Sequence, residues 1–430
     1  MRYFILISFI WAVTFLPPYK LFAQKYTIST QKDRLHQYAG QWVSTIHPNT
    51  DSIASNPQLK MINTSNTNHH SLNVEVLRLI GEDYHPILHE LIGFDRISQD
   101  IFAAGHNDIG DFFTGKGQFT SENRWMMQDA DLNGKPTMKV IFNFQSFTDV
   151  IVEGLDTENN SLWKTRYIKQ NPKNNHIGIQ LVSVHDEMQK DAIGTLKQLG
   201  RMGYDFVETF VYNNGAFYGM QAQYFKSIVE QAGMQFKGSM TFYNLPDEKN
   251  WSEAMEWWST CISDHKKAGV SYLSTSNNQI KSIKTKVVLQ RYCDYYNAVG
   301  KLCKESGLLF VYHNHADEFK EIDGIKVYDY FLENTNPEFV HFQADLYWMH
   351  AGGADIEGYF TKYPDRFISW HMKDYKELGE SGKIGFKTIL KNADTSNLKY
   401  LVAEVEDYSF PPLYSAALAW EYIHFEMLQP

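Results

Sequence analysis

From Ile177 to the end of the chain, short apolar runs alternate with stretches of helical spacing. Strand-like runs cover 177–184, 206–210, 235–242, 269–275, 308–314, 340–345, 367–374 and 400–407, and a helical stretch follows each, from about 189–202 to 413–428. A parallel strand needs a crossover back to its neighbour, and a sheet covered on both faces supplies it with a helix. Eight such units in about 250 residues predict a (β/α)8 TIM barrel over residues 177–430. An open doubly wound sheet is the runner-up. It is disfavoured because no Gly-rich phosphate loop follows the first run.

Residues 25–170 follow a different rule. Runs such as 72–77, 138–142 and 149–153 mix alternation with β-branched and aromatic residues, with turn signals at Gly81–Asp83, Thr114–Gly117, Asn133-Gly134 and Thr157–Asn160 between them. They predict a separate antiparallel β domain of unknown role. Tyr38 to Trp42 resembles the opening of small lipocalin-like barrels, in which a Trp closes the floor. A chain of 430 residues is long for one core, so two domains are expected, with the polar run Gln170–Asn175 as linker. His69, His70, His85, His89 and His106 are scattered through the β domain, a pattern that suits surface histidines better than ligands.

Residues 1–23 read as a secretory signal peptide: Arg2 is basic, Phe4 to Leu16 is apolar, and Leu21 to Ala23 resembles a cleavage site. The apolar run is shorter than the ~20 residues of a membrane span, so a periplasmic or secreted mature protein without a span is expected. Cys261, Cys293 and Cys303 are odd in number and lack metal-finger spacing, which predicts buried free thiols. A net charge of −10 argues against a nucleic-acid partner, whose phosphates need a basic footprint, and suits a small neutral sugar or glycoside. An oligomer is compatible with the sequence, which does not specify one.

In a TIM barrel the active site lies at the C-terminal strand ends. There the fifth run carries His313 and His315, the sixth Asp345, the seventh His371 and Lys373, and the eighth Glu404 and Glu406. Residues two apart on a strand face one side, and adjacent strands are about 4.8 Å apart, so one ligand from each of four strands can converge on one ion. A mixed imidazole and carboxylate set suits Mn, Co, Zn or Fe better than calcium. Any one of these residues alone is more ordinarily a cap or a satisfied polar group.

Taken together, residues 177–430 resemble the sugar phosphate isomerase/epimerase family of xylose-isomerase-like TIM barrels. The resemblance rests on Ile179 to Asp186, Gly203 to Glu208, Gly307 to His315 with Glu318-Phe319, Asp345 to Trp348, His371 to Asp374, and Glu404. It implies that His313, Asp345, His371 and Glu404 bind a divalent metal. Many members have Glu-Asn-His where this chain has His313-Asn314-His315. One negative charge fewer implies a stronger Lewis acid, and the change puts a two-glutamate proton shuttle in doubt. Glu318 can supply the missing carboxylate only if the loop after His315 folds back.

Such a site implies sugar chemistry by proton abstraction next to a carbonyl, giving isomerisation, epimerisation or elimination. His315 or Glu208 is the expected base, Lys373 a holder of substrate oxygen, and His185 and Trp348 are expected substrate contacts. Export favours a free sugar or glycoside over a sugar phosphate. Some relatives act as lyases on 3-keto-glycosides, in which the ketone acidifies the C2 proton and the glycosidic oxygen leaves. A non-catalytic carbohydrate-binding protein is the alternative. Phosphodiester cleavage, known on the same barrel, calls for more histidines and a basic surface.

Overall fold

A computed structural model gives the structure, which describes residues 30–45, 58–66, 70–173 and 177–428. The expected signal segment and His69 lie outside the described residues. Two closed barrels make up the fold. The first has ten antiparallel strands, from Gly40–Ser44 to Ser161–Lys169, with Trp42 opposite Lys169 where the last strand closes on the first. Alternation sorts its residues inward and outward. In the strand Arg124–Ala130, Trp125, Met127 and Asp129 are buried while Arg124 and Gln128 are exposed.

The inward rings form the core of this barrel. Trp125 stacks on Phe142 at 4.2 Å and on Phe119 at 5.6 Å, and Tyr38 meets Trp125 edge-on at 5.6 Å. Trp42 is fully buried, with Nε1 donating to the Tyr38 carbonyl at 2.9 Å. The barrel therefore has ten strands, against the eight of a lipocalin. His85, His89 and His106 point to solvent, and among the described residues none of them joins a group able to hold a metal.

The second barrel has eight parallel strands in sequence order: Ile177–Gln180, Phe206–Thr209, Gln235–Met240, Tyr272–Thr275, Leu309–His313, Val340–Asp345, Ser369–Met372 and Tyr400–Ala403. The eighth pairs with the first. Several strands stop short of the predicted runs. After Gln180, for example, Leu181–Val184 form a 3-10 turn that leads into the helix His185–Met202. That helix ends at Gly203, whose φ of +107° suits glycine, and a Cβ there would meet the Trp420 ring at 2.5 Å. Cys261, Cys293 and Cys303 are free and buried. Among the described residues no helix is long and apolar enough to cross a membrane.

The two barrels dock along the final helix, Pro412–Glu421, and at the base of the parallel barrel. The Tyr414 hydroxyl donates to the Asp33 carbonyl at 2.7 Å, and its ring stacks on Phe147 at 5.6 Å. His36 Nε2 meets Glu421 Oε2 at 2.8 Å in a buried contact. Asn171 Nδ2 donates to the Met202 carbonyl at 2.9 Å, and Lys173 Nζ to the Tyr204 and Gly233 carbonyls at 2.5 and 2.6 Å. The last three partners precede the second and third strands, at the opposite end from the strand termini that carry the candidate site.

Candidate metal centre

Parallel pairing places Asp345 level with His371 and His313 level with Gln343. His313, Asp345 and His371 are buried, and each offers a ligand atom within 4.8 Å of the others. His313 Nδ1 lies 3.1 Å from Gln343 Oε1, an acceptor, which assigns the ring proton to Nδ1 and leaves Nε2 bare. That nitrogen is 3.9 Å from Asp345 Oδ2. Asp345 Oδ1 accepts the Trp348 backbone N–H at 2.9 Å and caps the helix Leu346–Ala351, while Oδ2 is buried with no hydrogen-bond partner. A buried acceptor left unpaired costs about 1–3 kcal/mol. A cation held between Oδ2 and the imidazoles would remove that cost.

His371 lies between two carboxylates. Its Nε2 faces Glu208 Oε1 at 3.1 Å, and its Nδ1 is ion-paired with Glu404 Oε2 outside hydrogen-bonding geometry. Burial alone would disfavour a charge on the ring, but Glu404 and Glu208 push its pKa up to about 10. Burial likewise opposes charge on Glu404, yet Lys373 and His371 hold its carboxyl well below the usual range. Burial, reinforced by the neighbouring His371, keeps His313 neutral, and burial pushes the Asp345 carboxyl upward. Glu404 is not in the close trio, but its contact with His371 Nδ1 places it at the trio's edge.

The rim brings together most of the other predicted residues. The His315 ring centre is 5.0 Å from that of His313 and 5.6 Å from that of Trp348. Burial, then the nearby Lys373 charge, lowers the His315 pKa to about 4. Lys373 Nζ donates to Glu404 Oε1 at 2.9 Å and to Glu406, and lies 5.0 Å over Trp348. These two carboxylates overcome burial and keep it protonated. His185 stands on the first-strand side, against Phe210 at 5.1 Å and Tyr218 at 6.0 Å.

Two expected catalytic carboxylates are placed otherwise. Glu208 is fully buried beneath the trio, accepting from Tyr272 at 2.5 Å, Gln180 at 2.6 Å and Gln343 at 2.8 Å besides facing His371. Its oxygens are thus engaged inside the barrel, next to His371 and away from the exposed rim. Glu318 accepts from the Tyr312 hydroxyl at 2.8 Å and from the His315 backbone N–H at 3.0 Å. Tyr312 and His313 alternate across the strand, so Glu318 lies behind it and does not supply the missing ligand. Gln180, Tyr272 and Gln343 were not anticipated. Gln343 had a usable signal in its position two residues before Asp345.

The donor set fits a divalent transition ion: the bare His313 Nε2, a His371 ring nitrogen whose proton the ion would displace, one orphaned carboxylate oxygen, and a second carboxylate alongside. Glu208 on one nitrogen of His371 and Gln343 on one of His313 stand where outer partners would orient histidines that held an ion.

Known proteins share the fold of part of this chain. A solved sugar phosphate isomerase/epimerase from Parabacteroides distasonis is 27% identical, with a TM-score of 0.57, covering 60% of this chain and 100% of its own. A second from that organism is 26% identical, with a TM-score of 0.53, covering 57% and 95%. The inosose dehydratase of Salmonella agona is 30% identical over 87 residues, 20% of this chain and 28% of that protein. This chain spans less than a third of the length of the curated relatives it matches. The family model for the xylose isomerase-like TIM barrel matches residues 196–422, and the chain belongs to that family.

Proposed function

We propose that this chain is an exported, metal-dependent enzyme that acts on a sugar or glycoside by removing a proton next to a carbonyl, as an isomerase, epimerase or lyase. The observation that carries the reading is the convergence of His313, Asp345 and His371 around the unpartnered Asp345 Oδ2, at the strand ends where such barrels place their chemistry. Glu404 would complete the ligand set. When bound, the ion supplies Lewis-acid polarisation of a carbonyl and its neighbouring hydroxyl. His315 stands at the rim beside this group and is the candidate to take the proton. Lys373, clamped by Glu404 and Glu406, keeps a positive charge aimed at a substrate oxygen. Glu208 fixes the His371 ring from below.

The relatives support sugar chemistry of this kind: one is a dehydratase, hence an elimination enzyme, and two are isomerases or epimerases. Export, read from residues 1–23, favours an unphosphorylated substrate, and 3-keto-glycosides are the finer proposal. The test is a panel of free sugars, sugar phosphates and 3-keto-glucosides with Mn²⁺- or Co²⁺-loaded protein. Turnover of a free sugar or keto-glycoside, abolished by chelation and reduced at least ~100-fold in His315→Ala, is expected. Sugar binding without turnover of any compound would overturn the catalytic reading in favour of a carbohydrate-binding protein.

A further inference from the structure

A file of aromatic rings leads away from the metal trio. His315 is followed by Trp348 at 5.6 Å, Trp348 by Tyr347 at 4.7 Å, and Tyr347 by Tyr375 at 4.9 Å. Exposure rises outward along it: the trio is buried, Trp348 and Tyr347 are half-buried, and Tyr375 is 38% exposed. Lys373 spans the inner part, with Nζ 5.0 Å from the Trp348 ring and 5.9 Å from that of Tyr347.

The outermost ring is carried by a fixed loop. Asp374, buried, accepts from the backbone N–H groups of Tyr375, Gly379 and Ser381 at 2.8, 3.1 and 3.3 Å and from the Ser381 hydroxyl at 2.5 Å. This holds the loop from Tyr375 to Ser381 at the rim before any ligand arrives, which lowers the ordering cost of binding. Exposed Lys383 lies 4.2 Å over one face of the Tyr375 ring, a flexible donor that covers that face and leaves the other to a ligand.

We infer that Tyr347 and Tyr375 form a second subsite, which receives a ring joined to the reacting sugar through its glycosidic oxygen, so that the ligand is a glycoside with a cyclic substituent rather than a lone monosaccharide. A pyranose and an aryl group share the chemistry this needs, a flat face with apolar C–H or π surface. The inference rests on the proposed sugar-binding role of the metal site. It adds a place for the part of the molecule that does not react.

The test is binding, which does not depend on turnover. Methyl β-glucoside, phenyl β-glucoside and cellobiose are titrated by calorimetry into metal-loaded full-length protein and into Tyr375→Ala, whose exposed position puts folding at little risk. At least one ring-bearing ligand should bind about 10-fold more tightly than the methyl glucoside, and Tyr375→Ala should shrink that ratio to about 2-fold or less. Phenyl against cellobiose tells an aryl from a sugar substituent. Equal affinities in the wild type, a ratio that survives Tyr375→Ala, or no binding of any of the three would overturn the subsite. A ring-dependent ratio without turnover of any free sugar, sugar phosphate or 3-keto-glycoside would instead overturn the proposed reaction and leave the subsite standing.

Discussion

Changing Glu208 to Gln conserves volume but places an amide among three donors, from Gln180, Tyr272 and Gln343. The charge that orients His371 is lost while every candidate ligand remains. Metal affinity should fall about 10–100-fold with the stoichiometry preserved, as read by competition against a chromophoric chelator. An unchanged affinity would show that Glu208 has no part in the site. The candidate ligands were legible because strand spacing puts His313, Asp345, His371 and Glu404 on one rim, and the fold brings the first three together. Glu208 and His371 are far apart in sequence and meet only across the closed barrel, so strand position alone could not show that their side chains touch.

Elements add their own expectations. The loop after the fifth strand is held by Glu318, whose carboxyl burial pushes up to about 8. Glu318→Ala leaves the Tyr312 hydroxyl and the His315 backbone N–H without their acceptor, which should cost about 1–3 kcal/mol and lower turnover more than metal content. Equal loss of both would assign Glu318 to the ligand set after all. In the antiparallel barrel, Glu90 lies on the inward face with Ile92. Burial and the nearby Asp129 push its carboxyl up to about 8, and burial pushes that of Asp129 up to about 6.

Both carboxyls hold their protons more tightly folded than unfolded. Their stabilising effect is therefore complete below the unfolded carboxylate range and fades as pH rises through about 6 and then about 8. The Tm of this barrel should fall between pH 5 and 8.5, by up to about 1.4 kcal/mol of stability per pH unit for each proton released, and Glu90→Gln should flatten the trend. A flat wild-type profile would contradict it. The eight parallel strands were legible from rhythm alone. The ten-strand closure was not, because alternation marks a strand but does not say how many will pair into a ring.

At the scale of the molecule, the docking of the two barrels had no sequence signal, since Tyr414, Glu421, His36 and Asn171 meet across long separations. Glu421→Ala removes one partner of buried His36, which also meets Ser65 Oγ at 3.4 Å, and should lower stability by on the order of 1 kcal/mol, separating the melting of the two barrels in calorimetry. A single unshifted transition would mean that this contact does not couple them. The central claim is that the fold gathers its chemistry around one divalent ion. It is tested most directly by the metal content of full-length protein purified with Mn²⁺ and Co²⁺, beside that of Asp345→Ala and His371→Ala. One bound ion per chain in the wild type, lost in both variants while each still melts cooperatively, is the predicted result. A wild type without a bound ion, or variants that keep it, would contradict the claim.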